Sequence, residues 1–487
     1  MSVFTIEAGL ALLGLVLLLV EAFKPDISRR TLGLTAIAGT ASALVLLPFC
    51  GAPLPSFMQP WHLLDTLALF YKGFAIVITL LVLWLTLECA PYLTRFTVDG
   101  KLAEMFSLPL IVCSGMMWMA SARDLVTVFV ALELITVSFY VLVAFARKSA
   151  FSLEAGVKYL ILGALSTGIL VYGIAWIYGA TGTMSFEGIG KALANPATSK
   201  STALFGTALI LCGLGFKVAA APFHMWVPDV YQGAPTPVTA FLSVGSKAAG
   251  FVVLTRALEA FLASGSIISS EVQAFLLVIG SLTVLLGSLP AMFQTSVKRL
   301  LAYSSISHAG YLLLALACRE TARFELSSGG IVAFYLATYL PMTVLGFLGL
   351  GLMRANGLGE DIKDFNGLAK RNPTLAFFMT ISFASLAGLP LTAGFIGKLF
   401  VFLGLADHGY WGALSCAVIA AAAGFYYYFK TILAMYTTEG VETTALTLST
   451  ASKAVAGVLV LIILILGVYP KPLQKVLTSS PAVVLAK

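Results

Sequence analysis

Five lysines, Lys72, Lys158, Lys217, Lys247 and Lys398, fall in stretches otherwise apolar enough to cross a membrane. An ammonium group in hydrocarbon costs at least about 2.5–3.5 kcal/mol near a helix centre. A chain that carries several has a use for them, and the leading use is moving charge, above all protons. Glu133, in TVFVALELITVSFYVLV, adds a carboxyl group to the same inventory. It lies about ten residues into its apolar run, or roughly 15 Å deep at 1.5 Å per residue.

Each group has its own setting. Lys217 stands in GLGFKVAAAPFHMWVPDVYQGAPTPV. Burial weakens the hold of an amine on its proton, and a nearby carboxylate restores it. A lysine between these pulls can load and release a proton as its partner moves. Glu133 is the expected partner, with snorkelling of Lys217 to the interface as the competing reading. Lys247 lies about ten residues into its run, too deep for snorkelling. Its small neighbours Ser243, Gly245, Ser246 and Gly250 leave room for water or for close helix packing. Lys158 follows Glu154 by four residues, so a local helical pair competes with a relay role. Lys72, near the start of its span, is expected at the interface. His224 and His308 are relay candidates, or histidines that are only hydrogen-bonded. Around His308, the cluster Tyr303, Ser304, Ser305 and Ser307 can order water or join helices. Lys398, in SLAGLPLTAGFIGKLFVF, follows a proline and three glycines that free backbone groups for a hydrated cavity.

The elements that must position these residues are helices. The chain has 487 residues, 59% hydrophobic and only 10% charged, against about 25% charged in a soluble domain. Apolar runs of spanning length recur throughout. Fourteen spans are expected, near 3–23, 31–50, 66–88, 105–121, 124–146, 154–178, 203–222, 237–261, 272–293, 298–317, 329–352, 374–405, 409–435 and 453–469. The class is an all-α polytopic membrane protein. The 374–405 run is too long for one simple span and holds Gly388, Pro390, Gly394 and Gly397, so a broken helix is expected there. Lys217 precedes Pro222, whereas Lys398 follows Pro390. A lysine beside each of two interrupted helices, before one break and after the other, fits an inverted repeat. The division is helices 1–3 at 1–104, one five-helix repeat at 105–261, a second at 272–435, and a last helix with its tail at 436–487. The first run, Val3–Phe23, has no basic segment before it and no small-residue cleavage site after it, and is expected to stay as a helix.

The formal net charge of +7 is read as orientation, not nucleic-acid binding. Loops on the side away from the N-terminus hold the larger share, among them Lys24, Arg29, Arg30, Arg95, Lys101, Arg147, Lys148 and Lys298. The other side holds Arg123, Lys191, Lys200, Arg256, Arg319, Arg323, Lys471, Lys475 and Lys487. Both termini are therefore expected outside the cytoplasm. The six cysteines form no CxxC pair and the four histidines no HExxH or HxxxH, so neither metal nor redox cofactor is expected in this chain.

The strings GFKVAAAPFHMWVPDVYQGAPTPV, SVKRLLAYSSISHAGYLL and SLAGLPLTAGFIGK resemble the proton-pumping antiporter-like subunits of respiratory complex I. They also resemble relatives in multisubunit sodium/proton antiporters and membrane-bound hydrogenases. The likeness covers most of the chain and is strongest from about 120 to 400. Three features are similar to the N-type members: a lysine at 398 where M-type members carry glutamate, an end without a long lateral helix, and the SK pair that follows APFHMWVPDVYQGAPTPV. The resemblance implies that Glu133 modulates Lys217, that Lys247 is the central relay, and that Lys398 leads to the far exit. It places Lys158, His224 and His308 at secondary relay positions. It further implies a bacterial inner membrane, a neighbouring antiporter-like subunit and small helical subunits as partners, and NADH, FMN, iron–sulfur clusters and quinone acting at other subunits. A cation/proton antiporter subunit or a hydrogenase subunit remains the alternative function.

Overall fold

The computed structural model describes all residues except 1, 25, 52–53, 98–99, 319, 322–325, 438–445, 447 and 479–487. Arg319, Arg323 and Lys487, counted above for orientation, lie outside the described residues, as does part of the tail.

Helices dominate because apolar runs in lipid must satisfy every backbone group internally. Three come first: α1 (Val3–Phe23), α2 (Arg29–Leu46) and α3 (Thr66–Leu93). Next are α4 (Ala103–Ala120), α5 (Leu125–Val143), α6 (Ala150–Thr181), the short α7 (Phe186–Leu193), α8 (Lys200–Val218), α9 (Trp226–Gly233), α10 (Thr236–Phe241) and α11 (Lys247–Phe261). A π-turn, Leu242–Ser246, joins the last two. The second half holds α12 (Ser269–Ala291), α13 (Val297–Ala317), α14 (Ser328–Ala355), α15 (Leu368–Arg371), α16 (Pro373–Ala387), α17 (Ala393–Asp407) and α18 (Trp411–Tyr436). The series closes with α19 (Thr450–Val468) and α20 (Lys471–Thr478). Among the described residues the only strands are the two-residue pair Glu320–Thr321 and Leu326–Ser327.

Among the described residues, thirteen apolar helical stretches are long enough to cross a membrane. The interrupted pair α16–α17 supplies the fourteenth expected span, broken at Gly388–Thr392 as its glycines and proline predict. Polar side chains close the helix ends. Asp124 accepts from the backbone of Val126 and Thr127 to start α5, and Asn372 accepts from Leu375 to start α16.

The core runs through Thr236–Phe261, Val297–Ala317 and Ser328–Ala355, which are enclosed almost all round. A helix apolar on every side belongs in such a place. By contrast α1, α2, α6, α18 and α19 leave most of their apolar surface facing outward. At Gly287 and Gly310 the backbones of α12 and α13 touch: a Cβ at Gly287 would lie 2.2 Å from the Ser307 nitrogen.

Helix pairings in the two halves correspond. α5 packs on α6 as α13 does on α14, α6 packs on α8 and α9 as α14 does on α16 and α17, and α4 meets α11 as α12 meets α18. Five spans per half reverse the direction of entry, which makes such a repeat inverted. Inversion preserves chain order, however. The placement of Lys217 before its break and Lys398 after its own is thus a departure from the symmetry, not a sign of it.

Candidate functional site: a buried polar row between two broken helices

The first break begins where α8 ends at Val218. Ala219 takes φ +65° and Leu391, in the second break, φ +71°. The left-handed region costs a non-glycine residue roughly 1–2 kcal/mol, and each break carries one such residue. Freed backbone groups find partners: Ala221 N–H donates to Thr283 Oγ1 at 2.9 Å, and the Phe216 carbonyl accepts from Trp226 Nε1 at 3.1 Å.

Lys217 is 4% exposed, so it does not snorkel. Its Nζ donates to Thr136 Oγ1 at 2.8 Å and lies 6.0 Å from the centre of the Phe139 ring. Glu133, one turn before Thr136 on α5, accepts from Thr167 Oγ1 at 2.8 Å. The expected contact between Glu133 and Lys217 is therefore not a direct ion pair. Lys217 and Thr167 instead line one cavity of about 10 Å³, room for about one water. That spacing lets the two charges sense each other through threonine hydroxyls and a water.

The π-turn inserts its extra residue immediately before Lys247 and so sets the direction of that side chain. Lys247 donates to both the carbonyl and the hydroxyl of Ser305 on α13 and lies 5.6 Å from the centre of the Tyr339 ring. No acidic side chain pairs with it among the described residues. Ser305 also meets Tyr231 OH at 3.2 Å, and Tyr339 OH meets Ser243 at 2.9 Å. One turn further along α13, His308 Nδ1 is 2.7 Å from Tyr335 OH, and its ring centre is 4.9 Å from that of Tyr339. The serine cluster thus joins helices: Ser304 bonds Tyr428 on α18, and Ser307 bonds Ser288 on α12.

Lys398 closes the row at the second break. Its Nζ donates to the carbonyls of Leu386 at 2.9 Å and Ala387 at 2.7 Å, and it lies 5.5 Å from the centre of the Tyr311 ring. These carbonyls are the last of α16, where a helix carries partial negative charge. Gly394 makes this possible, since a Cβ there would lie 1.8 Å from the Ser385 carbonyl oxygen.

Three candidates lie elsewhere. Lys158 is 40% exposed and pairs with Glu154 at 2.7 Å and Asp229 at 2.7 Å, which favours the local reading. Burial raises the proton affinity of Asp229, but hydrogen bonds from Lys158 and Arg299 outweigh it and hold the carboxyl below its usual range. His224 sits half-buried in the first break, and its Nδ1 finds no hydrogen-bond partner. Lys72, near the start of α3, is fully buried by neighbouring helices and paired with Glu7.

Two loop assignments also change. Arg256 is 4% exposed on α11 and forks onto Asp65 at 2.6 and 2.7 Å, while Lys298 is 3% exposed and donates to the Ala234 carbonyl at 2.7 Å. The only sequence signal is a charge near one end of an apolar run. Replacing Arg256 by Leu leaves Asp65 unpaired, and is expected to destabilise the chain toward the lower end of the roughly 3–5 kcal/mol seen for broken buried pairs, because Asp65 is 33% exposed. Thermal melting of the extracted protein measures this, and Asp65→Asn with Arg256→Leu should recover part of the loss.

Two interrupted helices, each with a buried lysine, and further buried polar pairs at Lys247 and His308 are the pattern of an antiporter-like membrane subunit. Residues 122–425 match the family described as NADH:quinone oxidoreductase/Mrp antiporter, TM. The NADH-quinone oxidoreductase subunit N of Desulforamulus reducens is 35% identical over 486 residues, covering 100% of this chain and 99% of its own. That of Moorella thermoacetica is 37% identical over 482 residues, covering 99% and 98%. Among solved structures, a chain of respiratory complex I from Thermus thermophilus with bound aureothin is 31% identical, with a TM-score of 0.79 over 97% of this chain and 99% of that one. The chain belongs to the NADH-quinone oxidoreductase subunit N family.

Proposed function

We propose that this chain is a non-redox membrane subunit of a proton-translocating NADH:quinone oxidoreductase, and that protons move along its buried row. The observation that carries the reading is the set of polar pairs Glu133–Thr167, Thr136–Lys217, Lys247–Ser305 and His308–Tyr335, together with Lys398, drawn from both halves. Glu133 modulates Lys217, Lys247 and His308 form the centre, and Lys398 hands protons toward the far side. A proton gained or lost at one site changes the field at the next, and so its affinity. The two repeats at 105–261 and 272–435 supply the two half-channels.

The same reading places the chain in a bacterial plasma membrane with both termini outside. Its partners are a neighbouring antiporter-like subunit and small helical subunits. NADH oxidation and quinone reduction occur elsewhere in the complex, and this chain holds no cofactor. Proton uptake by vesicles carrying the assembled complex tests the ion. NADH-driven pumping is expected at an unchanged rate when sodium is replaced by potassium. A requirement for sodium would overturn the reading in favour of a cation/proton antiporter.

A further inference from the structure

Outside the row, a second buried charge pair joins the N-terminal helices. Lys72 on α3 and Glu7 on α1 are 0% and 1% exposed. Lys72 Nζ bonds Glu7 Oε1, the Met117 carbonyl at 2.8 Å and Ser121 Oγ at 2.9 Å. All three ammonium protons are thereby used. The carboxylate is less well held: Glu7 Oε2 is buried with the indole N–H of Trp118 as its neighbouring donor, at a geometry short of a full hydrogen bond. Buried polar atoms are satisfied as a rule, so a carboxylate oxygen held this weakly calls for an explanation.

The pair has a way out. Ser121 Oγ lies 2.8 Å from His62 Nδ1. His62 and Ala122 face each other across a β-bridge, and Leu63 N–H donates to the Ser121 carbonyl at 2.8 Å. Leu63, Ala122 and Arg123 line an open cavity of about 480 Å³. The hydrogen-bonded sequence His62–Ser121–Lys72–Glu7 thus ends one residue from the cavity wall, which Leu63 and Ala122 form. On the other side, Trp118 covers His62 edge-on at 5.9 Å and Phe4 lies over Trp118 at 6.5 Å. The other charged groups near the pair are Asp65 and Arg256, which bind each other.

We propose that Glu7 and Lys72 form a second proton-exchange site, apart from the row, that opens through Ser121 and His62 toward this cavity. Its use in pumping rests on the function proposed above, but its chemistry does not. A proton arriving at the free nitrogen of His62 releases the Nδ1 proton to Ser121. Lys72, which donates to Glu7 Oε1, passes that proton to the carboxylate, and its emptied nitrogen takes the proton of the Ser121 hydroxyl. The end state is a Glu7 carboxyl group with its proton on Oε1 beside a restored Lys72 ammonium. Release runs the same steps backward, and only N–H and O–H bonds form and break. Burial, and then the charge of Lys72, lower His62 to about 4, so the imidazole is neutral between transfers.

Infrared difference spectra of the assembled complex, recorded across a pH step, test this. A protonated-carboxyl C=O band is expected in wild type and in Lys217→Ala, and it should be lost in Glu7→Gln. Glu7→Gln with Lys72→Met removes both charges together, strands neither, and should also lack the band. His62→Ala and Ser121→Ala should slow its appearance several-fold. A spectrum with no Glu7-dependent band, or a band that persists in the double variant, overturns the site and leaves the pair as a structural tie. An unchanged rate in both His62→Ala and Ser121→Ala overturns the route. Because Lys217→Ala keeps the band whether or not the row pumps, failure of the site and failure of the proposed function are separable.

Discussion

Lys217→Ala is expected to assemble and yet to pump protons at least about tenfold more slowly, a modest share of what a positioned proton-transfer group contributes. Lys217 contacts protein through a single side-chain hydrogen bond, to Thr136. Its removal strands no carboxylate, because Glu133 keeps Thr167. The damage should therefore fall on transfer and not on folding. Glu133→Ala should give a smaller loss, since Glu133 acts on Lys217 through a hydroxyl and a water-sized gap. Pumping by vesicles, quinone reductase activity and native gels for assembly measure the three quantities together. Normal pumping by assembled Lys217→Ala would make these charges structural and end the relay reading.

Gly394→Ala is expected to be nearly as severe for the opposite reason. The added methyl would sit 1.8 Å from the Ser385 carbonyl oxygen, and that neighbour is backbone that cannot rotate away. Overpacking of this kind costs roughly 1–3 kcal/mol. It also pushes α17 off α16 one turn before Lys398, whose two bonds are to the carbonyls of Leu386 and Ala387. We expect weakened assembly on native gels, and reduced pumping in whatever complex forms. Gly168→Ala, on a helix face with nothing within 4 Å, is the matched control and should behave like wild type.

Much of the row was legible because a charge inside an apolar run stands out in one dimension. Glu133, Lys217, Lys247 and Lys398 needed no three-dimensional information, and the second break was announced by its glycines and proline. Partners were not legible. Tyr231, Tyr335 and Tyr339 look like ordinary core aromatics until Ser305, Ser243 and His308 are seen beside their hydroxyls. Asp65 and Arg256 stand 191 residues apart in the chain, and nothing local ties them. The π-turn before Lys247 has no composition signature either. Lys158 was the reverse case: its local pair with Glu154 could be read at i,i+4 spacing, while its second partner Asp229 could not.

The unequal surroundings of the two break lysines give the row a direction. Near Lys217 stands an acidic side chain, Glu133, held by Thr167. The hydrogen bonds of Lys398 go to peptide carbonyls at the end of α16, and a peptide dipole cannot be discharged. If protons follow the row as proposed, one terminus is a switch and the other a standing bias, and the arrangement works as a rectifier.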